Sequence, residues 1–113
     1  MKTIARILFL FGLIAVFNIS YADEVHFTEG SYQDVLKKAK EENKIVMIDF
    51  VTDWCKWCVE TDKKVYTKPA VYEYANEHQI NWKIDAEKGE GIDLAKKYNV
   101  KGYPTIIFVD ADG

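Results

Sequence analysis

Ile45-Val46-Met47-Ile48-Asp49-Phe50-Val51-Thr52-Asp53-Trp54-Cys55-Lys56-Trp57-Cys58 is the stretch that decides how this 113-residue chain reads. Ile45 to Val51 is nearly continuous hydrophobe, the pattern of a central strand covered on both faces, and Asp49 is the exception within it. The only two cysteines follow at once, three residues apart. Thiols at that spacing close or open a small disulfide ring with little backbone movement. A helix starting at Cys55 would favour its thiolate through the amide groups and dipole of the first turn. A purely structural bridge is the competing explanation, but one closing so short a loop constrains the unfolded chain weakly. The pair therefore points to chemistry.

Upstream, Lys2 and Arg6 precede an apolar run from Ile7 to Ile19, and Ser20-Tyr21-Ala22 supplies small residues where a signal peptidase reads. The run is too short for a comfortable bilayer crossing of roughly 20 residues. The expectation is a cleavable signal peptide over residues 1–22 and a single domain over 23–113, exported to the periplasm. Removing Lys2 and Arg6 leaves 13 basic against 18 acidic residues, a net charge of −5. That balance argues against nucleic acid, which needs clustered Lys and Arg.

Downstream and around the cysteines, the elements alternate. Val25-His26-Phe27 reads as a short first strand. Ser31 with Asp34 makes a capping box for a helix whose apolar face carries Tyr32, Val35, Leu36 and Ala39 and whose charged face runs to Lys44. A second helix is expected from about Cys55 to Lys64. A third restarts at Thr67-Lys68-Pro69, with proline in its first turn, and runs to about Glu77. Ile80 to Ala86 reads as a strand, and Glu90 to Tyr98 as a helix with Asn99 as its end cap. Thr105 to Val109 reads as a last strand after the turn Gly102-Tyr103-Pro104. Strands alternating with helices imply an α/β fold with a largely parallel core. Asp110-Ala111-Asp112-Gly113 carries hairpin turn chemistry with no second strand after it, so a domain cut short at its C-terminus is expected.

Asp49 in its strand, Trp54-Cys55-Lys56-Trp57-Cys58 and Gly102-Tyr103-Pro104-Thr105, in this order of elements, together resemble the thioredoxin family. Asp53-Trp54-Cys55 followed by Thr67-Lys68-Pro69-Ala70-Val71 is closer to the exported branch that includes the C-terminal domain of the thiol:disulfide interchange protein DsbD. The resemblance implies a thioredoxin-like fold, a central mixed sheet flanked by helices, here without the family's last strand and helix. It implies an enzyme, a thiol–disulfide oxidoreductase whose redox disulfide joins Cys55 to Cys58. Cys55 matches the exposed nucleophile and Cys58 the resolving thiol. Asp49 matches the buried carboxylate that accepts or returns the resolving thiol's proton, with a pKa raised by desolvation. Pro104 matches the family's cis-proline and, with Tyr103, would offer backbone to an extended substrate peptide. Trp54 and Trp57 would flank the pair as an apolar contact surface or serve as packing. The implied partners are cysteine-containing exported proteins and a membrane electron donor. No cofactor is expected, and the chain should be a monomer.

Two departures bear on mechanism. Thioredoxins proper carry Gly-Pro between the cysteines, where this chain has Lys56-Trp57. Lys56 favours the thiolate and pushes towards an oxidant, whereas the DsbD-like context pushes towards a reductant, which is the expectation here. The family's lysine facing the buried Asp aligns with Asn81, and Lys83 is the candidate substitute on the same strand face. A zinc site would need His26 and His78 beside the cysteines, far apart in sequence, so no metal is expected. A thioredoxin-like binding or assembly module without turnover is the alternative function, although it has no need of Cys55, Cys58, Asp49 and Pro104 together.

Overall fold

The computed structural model describes residues 15–16 and 22–113, so the expected signal peptide falls almost wholly outside the described residues. Helix α1 spans Tyr32–Glu42. The Ser31 side chain accepts the Asp34 N–H and the Asp34 carboxylate accepts the Ser31 N–H, so the capping box forms as read. Asn43 ends the helix in the left-handed region at φ 53°. Strand β1 is Ile45–Val51, α2 is Lys56–Lys64, α3 is Pro69–His78, β2 is Gln79–Asp85, α4 is Glu90–Lys97 and β3 is Thr105–Val109.

The three strands lie in the order β2-β1-β3, with β1 in the middle. Strand parity divides the molecule. Val46, Ile48 and Phe50 face α1 and α4 in the main core, with Tyr32, Val35, Leu36, Ile80, Trp82 and Leu94. Met47 faces the other way, into a smaller cluster with Val25, Tyr66 and Ala75. Asp49 shares the parity of Met47 and lies beside Lys83 of β2 and Ile106 of β3. Gly91 brings α4 against the C-terminal end of β2, where a Cβ would collide with the Asp85 carbonyl.

Two expectations need correction. Val25 to Phe27 is not a strand: the Val25 N–H bonds the Tyr66 carbonyl and the His26 N–H bonds the Asn76 side chain. These backbone groups find partners in a loop and a side chain, so no ladder forms. The observed order is accordingly helix, strand, helix, helix, strand, helix, strand. The core is not largely parallel either, since β2 runs parallel to β1 but β3 runs antiparallel. Eight residues of α4 descend about 12 Å, and segment 98–104, which turns at Tyr98-Asn99 and bends again at 102–104, brings the chain back to the end it left. Thr105 therefore starts beside Phe50, and Val109 finishes beside Val46. This return puts Tyr103 and Pro104 at the same end of the sheet as the cysteines.

Candidate redox site

The chain leaves β1 through a turn in which the Thr52 carbonyl accepts the Cys55 N–H at 3.3 Å. Cys55 is the N-cap of α2, in extended backbone, and its Sγ accepts the Cys58 N–H at 3.0 Å. Cys55 and Cys58 are joined by a disulfide, their Cα atoms 5.3 Å apart. Opening it leaves Cys55 Sγ at a helix N-terminus, where backbone N–H groups and the dipole stabilise negative charge. The resemblance implied an exposed Cys55, but in the oxidised protein it is 4% exposed and Cys58 5%. The Cys55 Sγ lies against the first turn of α2, on the Cys58 N–H.

Around this buried pair the rim is open and apolar. Trp54 is 68% exposed and Trp57 66%, and Val59 is exposed beside them. Trp54 is held from two sides: its ring meets Tyr103 edge-on at 5.8 Å and its Nε1 donates to Glu87 at 2.9 Å. Lys88 ties the same loop down by pairing with Asp53 and with Asp85. The Tyr103–Pro104 peptide is cis, and the Thr105 hydroxyl closes that turn onto the Gly102 carbonyl at 2.6 Å. Thus Trp54 and Tyr103 are in contact across the end of the sheet, and Trp57 occupies the first turn of α2. Lys56 lies with its Nζ 5.8 Å from the Trp57 ring centre.

Asp49 is 1% exposed. Its Oδ2 accepts the Tyr66 hydroxyl at 2.8 Å, and its Oδ1 has no hydrogen-bond partner among the described residues. Burial pushes the Asp49 carboxyl above its ordinary range, opposed by the Tyr66 hydrogen bond and the charge of Lys83, with Asp62 adding to the upward push. Tyr66 is itself raised far above the usual phenol range, by burial first and then by the negative charge of Asp49. Neither residue proposed from sequence bonds this carboxylate. Asn81 donates to the His26 and Ala75 carbonyls and accepts from Gln79. Lys83 acts on Asp49 through its charge while pairing directly with Asp62 at 2.6 Å. The direct partner is Tyr66, 17 residues along in the loop between α2 and α3, which sequence reading missed. The available signal was the rule that a buried acid needs a donor.

Among the described residues no group of three or more His, Cys, Asp or Glu side chains gathers as metal ligands. Among them, too, no helix is long and apolar enough to cross a membrane.

The model of the thioredoxin-like domain family matches residues 32–113. Disulfide bond reductase DsbH of Chlamydia pneumoniae is 26% identical over 93 residues, which cover 74% of this chain and 56% of DsbH. A solved structure of a candidate disulphide-isomerase from Bacteroides thetaiotaomicron is 41% identical with a TM-score of 0.74, covering 83% of this chain and 78% of that one. The oxidised C-terminal domain of Neisseria meningitidis DsbD is 29% identical with a TM-score of 0.57, covering 71% of each chain. The chain spans just over half the length of DsbH and a much smaller part of full-length DsbD. It is homologous to both, and it belongs to the thioredoxin-like domain family.

Proposed function

We propose that this chain is an exported thiol–disulfide oxidoreductase that reduces disulfides in other exported proteins, working as a monomer in the periplasm with residues 23–113 as its functional domain. The observation that carries the reading is a disulfide whose first sulfur caps a helix, inside a rim of exposed tryptophans. Similarity to a disulfide bond reductase, DsbH, supports the reducing direction.

In the reduced protein Cys55 is the nucleophile. Its thiolate attacks one sulfur of a substrate disulfide, the substrate S–S bond breaks, and the electron pair leaves on the departing sulfur, which takes a proton from water. Cys58 then gives its thiol proton to Asp49 and attacks the Cys55 sulfur of the mixed disulfide. The substrate's second sulfur departs with its electron pair and is protonated in turn. The substrate has gained two electrons and two protons, and the Cys55–Cys58 pair is oxidised. A dithiol donor protein at the membrane restores it by the same exchange in reverse. Trp54 and Trp57 give the substrate an apolar landing surface, and Tyr103 and Pro104 offer backbone to its extended chain.

The test is a redox titration of the full chain in glutathione buffers, read by thiol alkylation and mass. A midpoint near about −270 mV supports the reductase, and one near about −120 mV would overturn the direction in favour of an oxidant. Absence of a reversible dithiol transition, or exchange that survives Cys55→Ser, would overturn the enzyme altogether.

A further inference from the structure

We propose that Tyr66 is a positioning residue for the proton transfer of this exchange, acting through the hydrogen bond its hydroxyl donates to Asp49. The inference rests on the exchange reading above and adds to it a residue that the resemblance does not supply.

Tyr66 is fixed before it reaches the carboxylate. Its N–H bonds the Thr61 carbonyl at 3.1 Å, its own carbonyl accepts the Val25 N–H at 2.9 Å, and its ring meets Phe27 edge-on at 5.3 Å. The side chain is 4% exposed, so the phenol reaches Asp49 from inside the protein. It occupies Oδ2 and leaves Oδ1 with no partner among the described residues. The carboxylate is thus presented with one oxygen tethered and one oxygen free to take a proton.

The other groups facing Asp49 do not provide such a tether. Lys83 of β2, its register neighbour, spends its ammonium on Asp62 of α2 and lies 4.4 Å above the Phe27 ring and 5.6 Å from that of Tyr66. The two charges act on Asp49 in opposite directions, Lys83 lowering its pKa and Asp62 raising it. From β3 the neighbour is Ile106, which carries no charge. The direct contact on the carboxylate is therefore the neutral phenol, which favours the charged form against burial.

The experiment follows the Asp49 carboxyl carbon by NMR across pH in the oxidised full chain, with Asp49→Asn to assign the signal. Tyr66→Phe keeps the ring against Phe27 and removes only the donor. The midpoint should move up by about one pH unit, the worth of a hydrogen bond to a charged group. The pH midpoint of substrate reduction in the reduced protein should rise with it. Fluorotyrosine incorporation, which makes the phenol a more acidic donor, should move both midpoints down and tests the idea without any substitution. If the wild type exchanges disulfides but neither change moves the Asp49 midpoint, the Tyr66 assignment is overturned and the exchange reading stands. If the midpoint moves but the wild type performs no exchange, the exchange reading is overturned and the role of Tyr66 falls with it.

Discussion

Asp49→Val combined with Tyr66→Phe should make the oxidised protein more stable, and more so as pH rises. Asp49 is a buried carboxylate with one unpartnered oxygen. Leaving a buried polar atom unpaired costs about 1–3 kcal/mol. Asp49→Val alone removes that cost and suits a central strand, but it strands the Tyr66 hydroxyl at a similar cost of about 1–3 kcal/mol, so the single variant should be close to neutral. Tyr66→Phe then removes the stranded hydroxyl, and the double variant should gain about 1–3 kcal/mol. For a domain of this size each kcal/mol raises Tm by about 4–8 °C. The sign of the pH dependence follows from the raised pKa of Asp49 in the folded state. An acid whose folded pKa exceeds its unfolded value stabilises most when protonated, and that stability is lost as pH rises from the unfolded pKa of about 3.9 through the folded one. The wild type carries this loss and the double variant does not, so their gap should widen from pH 4 upwards and level off above the folded pKa of Asp49. Calorimetry of both oxidised proteins at pH 4 and pH 8 measures it. A gap that stays constant with pH, or a double variant less stable than wild type at pH 8, would refute the reasoning. On the proposed exchange reading, in which Asp49 accepts the Cys58 proton, the same variant should also lose the resolving step.

Two further outcomes are expected. Gly91→Ala forces a methyl onto the Asp85 carbonyl, and such overpacking should cost about 1–3 kcal/mol in thermal melts; an unchanged Tm would show that α4 and β2 slide apart freely. Trp54→Ala removes an exposed ring and should change stability by less than about 0.5 kcal/mol. It should also raise KM for a peptide disulfide roughly tenfold, as losing one aromatic anchor of about 1.4 kcal/mol would. A fall in kcat with KM unchanged would make Trp54 a support for the cysteines and not a contact for substrate.

Parts of the fold that rest on local physics were legible from the residues. The hydrophobic run of β1, the Ser31–Asp34 box and Pro69 in the first turn of α3 each specify their element without help from distant sequence. Cys55 was placed at the start of a helix for the same reason. What escaped depends on where the chain returns. The antiparallel direction of β3 is set by the length of α4 and the reach of segment 98–104, which periodicity does not encode. Val25 to Phe27 has strand-forming residues and runs close to the edge of β2, but the Thr28 N–H to Asn81 carbonyl bond there is not continued along the segment, whose Val25 and His26 N–H groups turn to Tyr66 and Asn76 instead. Tyr66 lies in the loop after α2, where no local pattern marks its hydroxyl; only the packing of that loop against β1 turns it to Asp49.

The alternation along β1 also bears on how such a protein can change over time. Even-numbered positions hold the main core together, while the odd-numbered face carries Asp49 and the polar partners that tune it. On the exchange reading proposed above, the chemistry is modular: Tyr66, Asp62 and Lys83 can be exchanged to retune proton affinity without repacking Val46, Ile48 and Phe50. The same arrangement makes the strand intolerant of a single-residue insertion or deletion ahead of Asp49. Shifting the parity by one would drive the carboxylate into the aliphatic core and turn the aliphatic residues towards the polar partners, removing stability and chemistry in one step. Substitution is an open path for this site, and length change in β1 is a closed one.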